Sequence, residues 1–173
     1  LSNNSVAYTE KPDAQSFLRE WSALADSGSG ERGVFNRVAA KKQAAKFGRR
    51  NPEYNFGTNP CSEILLRPYQ FCNLTEAVVR ATDSQEDLVR KVRIATILGT
   101  IQSTLTHFPY LRKVWKDNTE EERLLGVSLT GIMDNTLTNG KGCHLPSLLD
   151  HLREIAVETN KEWAEKLGIP ESA

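Results

Sequence analysis

Nothing in the 173 residues approaches the run of about 20 apolar side chains that a membrane-spanning helix needs, and no basic-then-apolar leader opens the chain. An excess of one charge is also missing. With 22 basic against 22 acidic residues, no net field draws the protein to nucleic acid or to an anionic membrane surface. These absences predict a soluble, cytoplasmic protein whose partners are neither nucleic acid nor membrane. Cysteine is scarce: three residues, odd in number and with no C-x-x-C pair, make neither a secreted disulfide framework nor a zinc knuckle. The glycines of 28–33 lack the G-x-x-x-x-G-K-[ST] pattern, so they form no phosphate-binding loop. No internal repeat is present. Asn3-Asn4-Ser5 and Asn73-Leu74-Thr75 match the glycosylation pattern, which carries no weight in a cytosolic chain.

What is present reads as an alternation of helices and strands. Ser2 to Tyr8 reads as a strand. Pro12-Asp13 can start a helix whose apolar residues Phe17, Trp21, Leu24 and Ala25 share one face, stopped by the turn Ser27-Gly28-Ser29-Gly30. Residues 35 to 47 are rich in Ala and Lys and predict a helix, and Gly48 to Thr58 a loop. Leu74 to Ala81 is expected as a short helix and Ser84 to Thr106 as a long one packed on a sheet. Gly126 to Leu129, apolar on both faces, predicts a strand buried in a parallel sheet. Ser147 to Leu167 predicts a last amphipathic helix, ended by Gly168 and Pro170. The fold class is α/β.

Against this background one segment stands out, Gly57-Thr58-Asn59-Pro60-Cys61-Ser62-Glu63-Ile64, with Cys72 eleven residues beyond Cys61. In an extended backbone, Asn59, Cys61 and Glu63 project from one face while Pro60 and Ser62 point away. That face carries an amide, a thiol and a carboxylate. The arrangement resembles the finger loop of the ribonucleotide reductases, most of all the adenosylcobalamin-dependent class. Gly30-Glu31-Arg32-Gly33-Val34-Phe35-Asn36-Arg37 resembles the family's upstream segment, and Leu125-Gly126-Val127-Ser128-Leu129-Thr130-Gly131 a downstream strand, so that the likeness covers roughly residues 28 to 134. Where many relatives have Gly between the Cys and Glu of the loop, this chain has Ser62.

The resemblance implies that residues 1–173 are a central fragment of a ten-stranded α/β barrel, with the finger loop at about 57–66. A chain that opens at Leu1 and stops after Ile169-Pro170 fits that expectation. Cys61 is then the residue turned into a thiyl radical by adenosylcobalamin. Glu63 is the general base at the ribose 3′-hydroxyl, Asn59 binds the ribose hydroxyls, and Ser62 and Asn36 also meet substrate. Cys72 is one thiol of the pair that reduces the sugar and ends as a disulfide, its partner expected N-terminal to Leu1. Implied partners are a ribonucleoside triphosphate, or a diphosphate, as substrate, a thioredoxin-type reductant, and dNTP or ATP effectors on the full enzyme. The Ser-Leu-Thr-Gly run favours the monomeric triphosphate reductases over the dimeric diphosphate ones. The class with a di-metal radical subunit is disfavoured, its second thiol lying farther from the finger cysteine.

Plainer readings stand beside these. A lone cysteine is usually a small buried hydrophobe, and for Cys143, in the Gly-rich loop Asn139 to His144, that reading prevails. A zinc site from Cys61, Cys72, Cys143 and His144 lacks the usual spacing. A cysteine hydrolase would need His107, His144 or His151 beside Cys61. The basic stretch Lys41, Lys42, Lys46, Arg49 and Arg50 reads as a solvated face rather than a nucleic-acid patch. A non-catalytic α/β interaction domain with a degenerate loop is the alternative from another class.

Overall fold

The computed structural model describes residues 4–30, 32–142 and 144–173. Expectations for Ser2, Asn3, Glu31 and Cys143 lie outside the described residues. The chain forms two compact units, Leu1–Pro68 and Tyr69–Ala173.

In the first unit, strands β1 (Asn4–Tyr8) and β2 (Arg32–Asn36) pair in parallel, with Asn4 opposite Arg32 and Tyr8 opposite Asn36. The crossover between them is helix α1 (Ala14–Asp26), which starts where the sequence predicts. Asp13 caps it, accepting from Ser16 N at 2.9 Å and Ser16 Oγ at 2.6 Å. An ion pair from Arg32 to Glu20, 2.7 Å, ties the helix to β2. No residue of α1 is buried; Phe17 and Trp21 stack on its apolar face with Trp21 55% exposed. Helix α2 (Arg37–Ala45) follows β2 directly and is shorter than the predicted span of 35 to 47. Phe35 and Asn36 belong to β2 instead, because pairing with Ala7 and Tyr8 claims their backbone. Ala40 and Ala44, one turn apart, pack with the fully buried Phe56 and the flanking Phe35, Tyr54 and Leu65 to make this unit's core. Two short strands, β3 (Gly57–Thr58) and β4 (Leu65–Leu66), then form an antiparallel hairpin.

In the second unit, β5 (Asn73–Val78) pairs in parallel with β6 (Leu125–Thr130), Asn73 opposite Leu125 and Val78 opposite Thr130. The helix expected over Leu74 to Ala81 is therefore a strand. Burial there alternates with period two: Leu74, Glu76 and Val78 are exposed, whereas Ala77 and Val79 are buried. Helix α3 (Gln85–Gln102) opens with a capping box between Ser84 and Asp87. Its face carrying Leu88 and Val92 meets Val79, Leu148 and Leu152 in the second core. Helix α4 (Lys113–Glu122) has no counterpart in the sequence expectations, since KVWKDNTEEE offers little apolar periodicity. Helix α5 (Leu145–Leu167) ends at Gly168, left-handed at φ 65°, as the sequence predicts. β6 is half-buried rather than buried on both faces.

Polar ties complete this unit. Thr96 and Thr100, fully buried, return their hydroxyls to Val92 O and Thr96 O at 2.8 Å. Asn160 of α5 donates to Thr100 Oγ1 at 3.0 Å and accepts from Ser172 N at 2.8 Å, and Ser172 Oγ accepts from Leu125 N at 3.0 Å. After β5, Lys91 donates to Asp83 and to Val78 O, and Asn135 donates to Arg80 O and Asp83 O. The Lys91 ammonium, with the Arg80 N–H, holds the Asp83 carboxyl below the usual carboxylate range.

Candidate active site

The segment singled out in the sequence forms the tip of the β3–β4 hairpin, and its backbone turns rather than running extended. Ser62 N donates to Asn59 O at 3.0 Å, Asn59 N to Ile64 O at 3.4 Å, and Ser62 lies in the left-handed region at φ 64°. The expectation of an extended face is corrected by this turn. Asn59 and Glu63 still meet, because the turn closes the loop between them: Asn59 Nδ2 donates to Glu63 Oε1, while Asn59 Oδ1 accepts from Ile64 N at 3.2 Å. One amide thus braces both the carboxylate and the returning strand. Ser62 is not idle on the far side, its Oγ lying 3.4 Å from Thr58 Oγ1. Cys61 is left as an exposed free thiol at the apex.

Three arginines fix the base of this hairpin, and the sequence reading foresaw none of them. Arg37 Nε donates to Phe56 O at 3.2 Å and Arg50 Nη1 to Leu65 O at 2.9 Å. The Arg50 guanidinium lies 4.8 Å over the Phe56 ring, and that of Arg67 lies 4.0 Å over Tyr54. Such cation–π contacts contribute about 0.5–2 kcal/mol each, depending on desolvation. Arg50 therefore holds the loop rather than decorating a solvated face. The only available sequence signal was its place beside the aromatic residues that precede the loop.

Asn36, the other residue expected near substrate, caps α2 by accepting from Ala39 N at 3.0 Å. It also lines an open cleft of about 610 Å³ with Tyr8, Phe17, Val34 and Val38. Cys72 belongs to the second unit, half-buried just before β5, and His107, His144 and His151 belong to that unit as well. Among the described residues no cluster of His, Cys, Asp or Glu could hold a metal ion, and no helix is long and apolar enough to cross a membrane. Cys143 lies outside the described residues.

The segment before β5 is docked on α4. Gln70 Nε2 donates to Asn118 O at 3.2 Å and Glu122 Oε2 at 2.6 Å, and Asn118 Nδ2 donates to Tyr69 O at 3.3 Å. Phe71 stacks on Trp115 at 4.6 Å and meets Phe108 edge-on at 5.1 Å. Tyr69 sits at φ 60°, a strained conformation for an aromatic residue, with the Arg112 guanidinium 4.3 Å over its ring.

No family model and no solved structure matches the chain. Among curated proteins it is similar to the adenosylcobalamin-dependent ribonucleoside-triphosphate reductase of Lacticaseibacillus paracasei, 34% identical over 137 residues, which cover 77% of this chain and 17% of that enzyme. The enzyme of the same name from Lactobacillus gasseri is 32% identical over 143 residues, 77% of this chain and 18% of its own length. A probable enzyme of this kind from Dictyostelium discoideum is 29% identical over 124 residues, 67% of this chain and 15% of its own. The chain spans less than a fifth of the length of these relatives. Across most of its own length, this mixed α/β chain is a homologue of a segment of the adenosylcobalamin-dependent ribonucleoside-triphosphate reductases.

Proposed function

We propose that the chain is the part of an adenosylcobalamin-dependent ribonucleotide reductase that carries the radical cysteine, with a ribonucleoside triphosphate as substrate. The observation that supports this reading most is the hairpin turn in which Asn59 holds the Glu63 carboxylate while the Cys61 thiol stands exposed at the tip. The parallel pairs β1–β2 and β5–β6 are then strands of a ten-stranded α/β barrel, with residues 57–66 as its finger loop.

Removing a ribose 2′-hydroxyl requires breaking an unactivated C–H bond, which acid–base chemistry on side chains cannot do. The cofactor, when bound, supplies a carbon-centred radical that can take the hydrogen of a thiol. An exposed Cys61 suits that approach. The S–H bond is close in strength to the ribose C3′–H bond, so the Cys61 thiyl radical abstracts the 3′-hydrogen and can later return it. Glu63 accepts the 3′-hydroxyl proton on Oε2, its Oε1 being engaged by Asn59. Such general-base catalysis contributes about 10²–10⁴-fold. The Asn59 amide and the Ser62 hydroxyl border the same turn and orient the ribose hydroxyls, and Asn36 contributes from the cleft edge. Cys72 and a second thiol, expected outside residues 1–173, supply two electrons and two protons. The C2′–O bond breaks, the oxygen leaves as water, a C2′–H bond forms and the thiols close to a disulfide. A thioredoxin-type dithiol in the cytoplasm reopens it, and dNTP or ATP effectors act on the full enzyme.

The test uses the full-length enzyme. Cys61→Ser should abolish both turnover and cobalamin-dependent washout of tritium from the adenosyl 5′ position into water, because an alcohol O–H is too strong to be made and broken reversibly. Cys72→Ser should keep the washout and lose multiple turnover. Normal washout in the Cys61 variant would sink the assignment.

A further inference from the structure

We propose that Gln70 is a positioning residue for Cys72, and that α4 exists in this unit to hold that thiol's backbone in phase. The inference rests on the reductant role given to Cys72 above and adds the device that sets its geometry. Gln70 is 4% exposed and its partner Glu122 2%, so their 2.6 Å bond is made out of water, where it is strong and costly to lose. Two residues on, the thiol is half-buried, and the chain is fixed on both sides of it. Upstream, Asn118 grips Tyr69 O, the Gln70 amide bridges Asn118 O and Glu122, and Phe71 is held through its ring by Trp115 and Phe108. Downstream, Asn73 donates its backbone N–H to Leu124 O at 2.8 Å and its side-chain amide to the same carbonyl at 3.2 Å. The strained φ at Tyr69 is maintained by these contacts. A strand start needs none of this to pair with β6; a thiol that must meet a radical sugar and then a second sulfur does, since misplacement by about 1 Å can cost about 10²-fold in rate.

The experiment is a swap in the full-length protein. Gln70→Glu sets two carboxylates against each other and should lift the segment from α4. Adding Glu122→Gln restores a donor facing an acceptor across the pair, while the bond to Asn118 O stays lost. Expected for Gln70→Glu is a loss of multiple turnover of about tenfold to a hundredfold, with tritium washout within about twofold of wild type and faster iodoacetamide labelling of Cys72 in the cofactor-free protein. The double variant should recover part of both the turnover and the slow labelling, the Glu122 contact being regained and the Asn118 contact not. A turnover loss matched by an equal loss of washout, unchanged turnover in Gln70→Glu, or no recovery in the swap would each overturn the proposal. Cys72→Ser run alongside separates the two levels. Repeated turnover by that variant would remove the reductant role and this inference with it, whereas its inactivity together with a fully active Gln70→Glu would overturn the inference alone.

Discussion

At the hairpin tip a serine occupies a backbone conformation that suits glycine. The left-handed region costs an ordinary residue about 1–2 kcal/mol, and Ser62 sustains it at φ 64° while its hydroxyl reaches toward Thr58. Ser62 thus holds the left-handed position of the turn. Ser62→Gly should leave the fold intact, with a change in unfolding free energy within about 1 kcal/mol. Ser62→Val, β-branched, should destabilise the hairpin and loosen Asn59 from Glu63. Chemical denaturation of the full enzyme and exchange of the Ile64 amide, which the turn holds against Asn59, would read both. Equal protection of that amide in the Val variant would show that the turn does not need the left-handed position. Residue identities in this loop were legible because amide, thiol and carboxylate were spelled out in order. Their geometry was not: a period-two face and a four-residue turn bring the same Asn59 and Glu63 together, and the sequence does not say which.

Among the elements, the Thr130–Gly131 corner is held by both backbone conformation and close backbone approach. Gly131 has φ 73°, and a Cβ there would lie 2.5 Å from Val79 O, the carbonyl of the residue that follows β5 and donates its own N–H to Thr130 O. Gly140 also has a positive φ, 79°, but open space around it. Gly140→Ala should cost about 1 kcal/mol of strain alone. Gly131→Ala adds a backbone clash and should cost about 3 kcal/mol or more. Thermal unfolding of the two variants compares them directly, and equal losses would show that the corner can relax. Helices α1, α3 and α5 and strand β6 were readable because caps, glycines and apolar spacing agreed. β5 was misread because Leu74, Ala77, Val78 and Ala81 also satisfy a helical spacing, and only pairing with β6, remote in sequence, decides between the two periods. α4 was missed because what it buries is an interface with the Cys72 segment, not an apolar stripe of its own.

Across the whole molecule, every sheet among the described residues has two strands, so each strand keeps an edge unpaired. Apolar side chains stand in water on both units: Phe17, Leu18 and Trp21 on α1, and Ile94, Leu98 and Ile101 on α3, with Leu98 58% exposed. Such surfaces belong against further protein, and the relatives are several times longer than this chain. Expressed alone, the 173 residues should aggregate or bind a hydrophobic dye, and should form no deoxynucleotide with adenosylcobalamin. A monomer that melts cooperatively without binding dye would instead mark an independent domain. The β5–β6 pairing also has a consequence in time. Asn73 faces Leu125, 125 − 73 = 52 positions later. At a synthesis rate of about 5–20 residues per second, β5 leaves the ribosome several seconds ahead of its only described partner strand. During that interval α3 is the element available to cover it, and Leu74 and Val78, still exposed in the finished unit, are the side chains a chaperone would meet first.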